Sequence, residues 1–286
     1  MQGSLHLIQI LVHILAINMD ILTFSFMFLL GLVIGSFLNV VIYRFNSGKT
    51  IGGRSICLAC SKTLNWYELI PVLSFLFQKG RCRGCASKIS HQYPLVELVT
   101  GFVFALIASH FLPILSVYSS YLFLLLYFSF VFSLLIVIAV YDIRHKIIPD
   151  SLVYFFAVVS FCSLWFHYTG SELVFVNPSL LSIFAGPILA LPFALIWLFS
   201  QGKLMGLGDA KLIIGIGFLL GFSQGIAAII IAFWIGAVAS LIILLFGRFK
   251  ITMKTELPFA PFLILGTFLS FIYSIDVFSL SAFFRL

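Results

Sequence analysis

Apolar residues in this chain run in long stretches rather than alternating, and the stretches are broken by short polar or Gly/Pro-marked turns. A helix needs about 20 mostly apolar residues to cross the hydrocarbon, because every backbone polar group must be satisfied inside the segment. The runs near 20–43, 95–112, 119–141, 151–168, 179–200, 210–222, 226–246 and 258–276 predict eight membrane-spanning helices. The sixth is short for a full crossing and contains Gly215 and Gly217. Residues 1–17 are apolar but have neither a basic start nor a small-residue cleavage site, so they do not read as a removable signal peptide.

Composition agrees with that pattern. Hydrophobic residues fill 62% of 286 positions and only 9% are charged, whereas a soluble domain is about 45–50% apolar. Mean hydropathy is +1.21. The predicted fold class is an all-α polytopic membrane protein of about eight helices, with a small polar domain between the first and second.

Charge placement supports the helix count. With eight spans, alternate connections carry residues Arg44 to Lys88, then Arg144 and Lys146, then Lys203 and Lys211, then Arg248, Lys250 and Lys254. These loops hold fifteen of the sixteen Lys and Arg, and only Arg285 falls on the other side. The positive-inside rule makes the cation-rich side cytoplasmic and leaves Asp20, Glu172, Asp276 and both termini outside. The net charge of +7 is then a matter of topology and of attraction to anionic lipid, and implies no nucleic-acid partner.

The segment 44–94 is too small to hold a sizeable core without a staple. It carries Cys57-Leu58-Ala59-Cys60 and Cys82-Arg83-Gly84-Cys85, with 21 residues between the pairs. Two Cys-x-x-Cys knuckles at such spacing form a four-thiolate zinc pattern, and a cytoplasmic setting keeps the thiols reduced. Redox pairs or free thiols are the alternative. Cys162, inside a predicted span, reads as a small buried apolar residue.

Two aspartates stand where apolar runs meet polar turns. Asp142 closes the third span in Tyr141-Asp142-Ile143-Arg144, and Asp209 opens the sixth in Gly206-Leu207-Gly208-Asp209. A carboxylate at a helix centre costs roughly 2.5–3.5 kcal/mol on insertion scales, so two at one membrane level point to function. Sixty-six residues separate them in sequence, yet antiparallel packing brings them together. Paired carboxyls sharing a proton are what an aspartyl protease uses, one as general base on water and one as acid to the scissile carbonyl. Gly206 and Gly208 allow close approach beside Asp209. The structural alternative pairs Asp209 with Lys203 or Lys211 and Asp142 with Arg144. Asp150, after Pro149 and before an apolar run, reads as a helix N-cap.

Four blocks together resemble the bacterial type IV prepilin peptidases, also called prepilin leader peptidase/N-methyltransferases. They are Gly35-Ser36-Phe37-Leu38-Asn39-Val40-Val41-Ile42-Tyr43-Arg44, the paired cysteine motifs, Tyr93-Pro94-Leu95-Val96-Glu97-Leu98, and the two aspartate turns. Leu58 stands where the family usually has Pro, and Tyr141 where it commonly has Ile; neither removes a reacting group. The resemblance implies that Asp142 and Asp209 are the catalytic pair and that Cys57, Cys60, Cys82 and Cys85 bind structural Zn2+.

It further implies an enzyme of the bacterial inner membrane, with its cysteine loop and active site facing the cytoplasm. Such an enzyme cuts the basic leader from type IV prepilins and type II secretion pseudopilins, then methylates the new amino terminus with S-adenosylmethionine. The expected division is 1–43 as N-terminal segment and first helix, 44–94 as zinc-binding domain, and 95–286 as peptidase domain. No Gly-x-Gly-x-x-Gly unit marks a methyl-donor site. For methyl transfer, Glu68 or Glu97 is a candidate proton acceptor, although Glu97 also reads as the cap of the second span and Glu68 as a loop support. A basic leader at a basic face needs acidic groups or anionic lipid to offset it, and Glu68, Glu97 and Glu256 are the candidates. A general intramembrane protease, or a zinc-knuckle assembly factor or carrier with an aspartate ion relay, stays open on the residues alone.

Overall fold

The computed structural model describes residues 2–48, 50, 52–112, 118–168, 173–246 and 257–278. Lys49, Glu172, Arg248, Lys250, Lys254, Glu256 and Arg285, all used in the charge reading, lie outside the described residues. Two compact units divide the chain, residues 1–133 and 134–286.

In the first unit α1 (Gln2–Arg44) packs along α3 (Gln92–Phe111). Gly31 and Gly35, one turn apart on α1, make that contact close. A Cβ on Gly31 would meet the Thr100 carbonyl oxygen at 2.7 Å, and one on Gly35 the Glu97 Cα at 2.7 Å. Small residues of this kind let membrane helices approach where the hydrophobic effect supplies no driving force between them. Among the described residues, the loop between the helices holds a 3-10 turn, Trp66–Glu68, a short helix, α2 (Leu73–Phe77), and two isolated β-bridges, Ile56 with Thr63 and Arg81 with Lys88.

α4 (Tyr118–His145) carries the chain into the second unit, which continues with α5 (Asp150–Cys162), α6 (Leu180–Ser200), α7 (Leu207–Phe246) and α8 (Ala260–Ile272). α7 is central there, packing against α5, α6 and α8. A short antiparallel hairpin, β1 (Phe166–Tyr168) with β2 (Leu173–Phe175), joins α5 to α6.

Among the described residues, five helices are long and apolar enough to cross a membrane, and two shorter apolar helices span Asp150–Trp165 and Ala260–Ile272. The predicted sixth and seventh spans are the two arms of α7. They meet at Gly221, whose φ of 74° and ψ of −176° are not helical. A Cβ on Gly225 would lie 3.8 Å from the Gly217 Cα, whereas eight residues of straight helix separate such positions by about 12 Å. The helix therefore turns back on itself at Gly221.

The fourth span is shorter than the sequence suggested. α5 ends in a 3-10 turn, Ser163–Trp165, before β1 begins at Phe166. Cys162, expected to be buried, is exposed. On a helix that is apolar all round, composition does not say which face meets protein and which meets lipid.

Candidate active site and metal centre

Asp142 lies in the last turn of α4, and that turn is closed locally. Lys146 takes a left-handed conformation at φ 54° and donates its N–H to the Asp142 carbonyl at 2.7 Å. Asp209 lies in the first turn of α7. Both side chains are buried, Asp142 with 4% and Asp209 with 8% of its surface exposed. They are near enough that the charge of Asp142 acts on Asp209. The structure thus brings together the two residues that the sequence marked for one site.

Their partners differ. The Ala260 backbone N–H donates to the Asp142 carboxylate. Ala260 is the first residue of α8, whose opening N–H groups have no partner inside the helix and attract negative charge. Asp209 Oδ1 is buried with no hydrogen-bond partner, and leaving such an atom unsatisfied costs about 1–3 kcal/mol. The α8 contribution was missed from sequence, although Pro261 just inside the helix start was a readable sign of where those free N–H groups would fall.

The glycines before Asp209 differ. A Cβ on Gly208 would press on Ile148 Cβ at 2.9 Å, so Gly208 admits the loop that follows Asp142. A Cβ on Gly206 would meet Asp209 Oδ2 at 3.8 Å, an ordinary contact, so packing does not demand glycine there.

Lys211, the expected structural partner of Asp209, turns elsewhere. Its Nζ donates to Asp150 Oδ1 at 2.8 Å and sits 5.2 Å from the Tyr154 ring centroid. Asp150 is accordingly not the N-cap that sequence suggested. Pro149 holds that position, with φ −74° and ψ 117°, and Asp150 is the first helical residue.

The four loop cysteines also converge. One sulfur from each of Cys57, Cys60, Cys82 and Cys85 lies within 4.8 Å of the others, and Cys57 Sγ is 3.9 Å from Cys85 Sγ. Four thiolates at about 2.3 Å from one zinc stand about 3.8 Å apart, so the donor set fits a metal of that size and preference. The two knuckles are built alike. Cys57 N–H donates to Lys62 O and Cys82 N–H to Ser87 O, while Ser61 N–H returns to Cys57 O and Ala86 N–H to Cys82 O, all at 2.9 Å. The N–H groups of Cys60 and Ala59 pull the Cys57 thiol down to about 6. At Cys60, against the pull of the Lys62 N–H, desolvation and the neighbouring thiols push the thiol up to about 11, so the crowded thiols do not ionise alike.

Glu68 supports this loop as expected. Its carboxylate takes the Asn65 N–H at 2.9 Å and Lys62 Nζ at 3.1 Å, and these two contacts, the Asn65 N–H first, hold it below the usual carboxylate range. Glu97 is not the cap of α3, which starts five residues earlier at Gln92. It is buried within the helix and accepts the Val72 N–H at 2.7 Å. Both glutamates are thus engaged inside the protein, which weakens them as offsets for a basic leader.

Residues 29–111 match the bacterial peptidase A24 N-terminal domain, and residues 129–241 match the type IV leader peptidase family. The chain is similar to the prepilin leader peptidase/N-methyltransferase of Bacillus subtilis (strain 168), 35% identical over 263 residues that cover 89% of this chain and 96% of the relative. It is also similar to the protein of that name from Klebsiella pneumoniae, 33% identical over 69% of this chain and 85% of the relative. A third relative so named, from Aeromonas hydrophila, is 29% identical over 91% and 93%. No solved structure matches the chain. With most of its length aligned to such relatives, and both halves matched by the corresponding models, this chain belongs to the type IV leader peptidase family.

Proposed function

We propose that Asp142 and Asp209 are the catalytic dyad of this enzyme. The name of its relatives, prepilin leader peptidase/N-methyltransferase, supports this reading: an aspartic peptidase that removes the leader of prepilins and then methylates the new amino terminus. The observation that carries the dyad is a pair of buried, interacting carboxyls at helix ends, one of them with an orphaned oxygen and its nearest expected cation engaged elsewhere. Two buried carboxyls whose charges act on one another favour a state in which one of the pair is protonated and the other ionised.

In the reaction, the ionised carboxyl takes a proton from a water molecule, and the water oxygen bonds to the scissile carbonyl carbon. The protonated carboxyl donates to the carbonyl oxygen. Collapse then breaks the C–N bond, and the departing nitrogen takes up a proton. The Ala260 N–H holds the Asp142 carboxylate in place through these transfers.

The substrate class fits the membrane level of the site. A leader peptide with a cationic segment outside the bilayer and an apolar helix within it brings its junction to the ends of α4 and α7. Pseudopilins of type II secretion share that plan and are included in the proposal. The positive-inside pattern supports a cytoplasmic-facing site in a bacterial inner membrane.

Zn2+ is the proposed occupant of Cys57, Cys60, Cys82 and Cys85, where it would staple a loop too small to hold itself. S-adenosylmethionine is the proposed methyl donor. The described residues contain no βαβ unit, only the β1–β2 hairpin and isolated bridges, so a dinucleotide-type cradle does not serve it. The functional division follows the chemistry: 1–43 anchors, 44–94 holds the thiols, and 95–286 holds both aspartates.

The experiment is cleavage of a prepilin by the purified chain in detergent. Asp142→Asn and Asp209→Asn should each lower the rate by roughly 10²–10⁴-fold while metal content stays constant. Cleavage at the parent rate by either variant removes that residue from the dyad.

A further inference from the structure

The loop between α1 and α3 folds back towards the membrane. α3 is 20 residues long, about 30 Å at 1.5 Å per residue, which equals the thickness of the hydrocarbon. Seated so that its length just crosses the hydrocarbon, α3 puts Gln92 at the boundary and Glu97, five residues on, about 7.5 Å inside it. At that depth the buried Glu97 carboxylate takes the Val72 N–H at 2.7 Å, and Ser36 of α1 hydrogen-bonds to it as well. Val72 has φ 60° and ψ −50°, a conformation that a β-branched residue keeps only when its surroundings impose it. A second tie is the Phe75 ring, 5.5 Å from that of His91 just before α3. The chain at 72–75 is thus held level with the first turns of a membrane-spanning helix.

At this level the segment turns apolar side chains outward. Trp66 and Phe77 are each 77% exposed, Leu76 62% and Leu73 50%, and Leu69 and Ile70 are both 38% exposed. Interfacial segments bury Trp, Phe and Leu about 5–10 Å into the boundary between headgroups and acyl chains, the depth that the Glu97 contact defines. The flanking residues are basic, with Lys79, Arg81 and Arg83 following directly. Glu68, the acidic residue of the segment, is bound to Lys62. The rim is therefore cationic and complements anionic headgroups.

We propose that residues 66–77 are an interfacial anchor seated on anionic phospholipid, in the leaflet that α3 enters, and that the Glu97–Val72 hydrogen bond sets its depth. The anchor fixes the metal-binding loop against the membrane surface.

The test uses the full chain in nanodiscs of phosphatidylcholine and phosphatidylglycerol, with the photoreactive residue p-benzoylphenylalanine at position 77. An aromatic replacement at this exposed aromatic position leaves folding intact, and metal content verifies the loop. Irradiation should give phospholipid adducts at 77, enriched in phosphatidylglycerol over its share of the mixture. Crosslinks from 77 to polypeptide, whether the same chain or a second copy, or no adduct at all, overturn the anchor. Adducts in proportion to the lipid mixture overturn its anionic preference. Glu97→Leu should lose the adduct at 77 with metal retained, and an unchanged adduct there removes Glu97 as the depth-setting contact.

Discussion

Lys211 is bound to Asp150 at 2.8 Å, two residues beyond Asp209 in α7 and eight beyond Asp142 along the loop from α4. Together with Ile148 lodged against Gly208, this ion pair ties the flank of one aspartate to the flank of the other. The Asp150 side chain is 58% exposed and that of Lys211 19%, so the pair itself is worth little to stability, about 0–1 kcal/mol. Its consequence lies in where it holds the two carboxyls.

Lys211→Met should therefore slow prepilin cleavage by about 10–100-fold, as misplacement on the order of 1 Å does, with little change in thermal stability. The reciprocal exchange Asp150→Lys with Lys211→Asp should recover part of the rate. Parent-like cleavage by Lys211→Met, measured beside an unaltered melting curve, would show that the aspartates are held by other contacts.

Asp209 should be a liability to the fold. Its buried Oδ1 has no partner, and Asp209→Leu exchanges an unsatisfied carboxyl for apolar volume, which should raise thermal stability by about 1–3 kcal/mol equivalent while abolishing cleavage. A structural role predicts the opposite sign. A lower melting temperature for Asp209→Leu in the same detergent is thus the result that speaks for structure over chemistry.

How much of this site could be read in the sequence depended on the range of the interactions involved. The helical segments were legible because hydrocarbon demands length and apolarity of each one separately, and the arms of α7 were distinguishable because turn-forming Gly interrupts them. The thiol cluster was legible because two identical local turns create it. Hidden from sequence were the contacts settled by tertiary packing: the Ala260 N–H on Asp142, the choice of Lys211 for Asp150, and the descent of Val72 to Glu97. Asp150 and Glu97 were both read as caps, since that is the local role of a carboxylate near a helix start, and both instead bond to residues distant in sequence.

Metal removal should act on the loop and spare the dyad's chemistry. Cys57→Ser removes one of four thiolates and should release zinc, since structural sites supply folding free energy outright. Limited proteolysis should then cut within residues 44–93 while the helices stay protected, and a chelator should reproduce the pattern in the parent protein. Metal analysis and peptide mapping of the same sample decide it: a metal-free protein whose loop still resists protease would show that the loop's own hydrogen bonds suffice.

Gly221 should control the reversal of α7. Its φ of 74° with ψ of −176° is a region that only glycine occupies without strain. Nothing lies within 4 Å of where its Cβ would be, so any penalty from Gly221→Ala comes from backbone conformation alone and should amount to about 1–3 kcal/mol. Gly266 is the contrasting case. Its Cβ would collide with the Ala228 carbonyl oxygen, so Gly266→Ala should loosen the contact between α7 and α8, while Gly221→Ala should open the turn between the arms. Paired spin labels on the two arms distinguish the outcomes: Gly221→Ala should lengthen their separation, and an unchanged distance with parent-like stability would mean that the reversal is imposed by packing of α6 and α8 rather than by the turn.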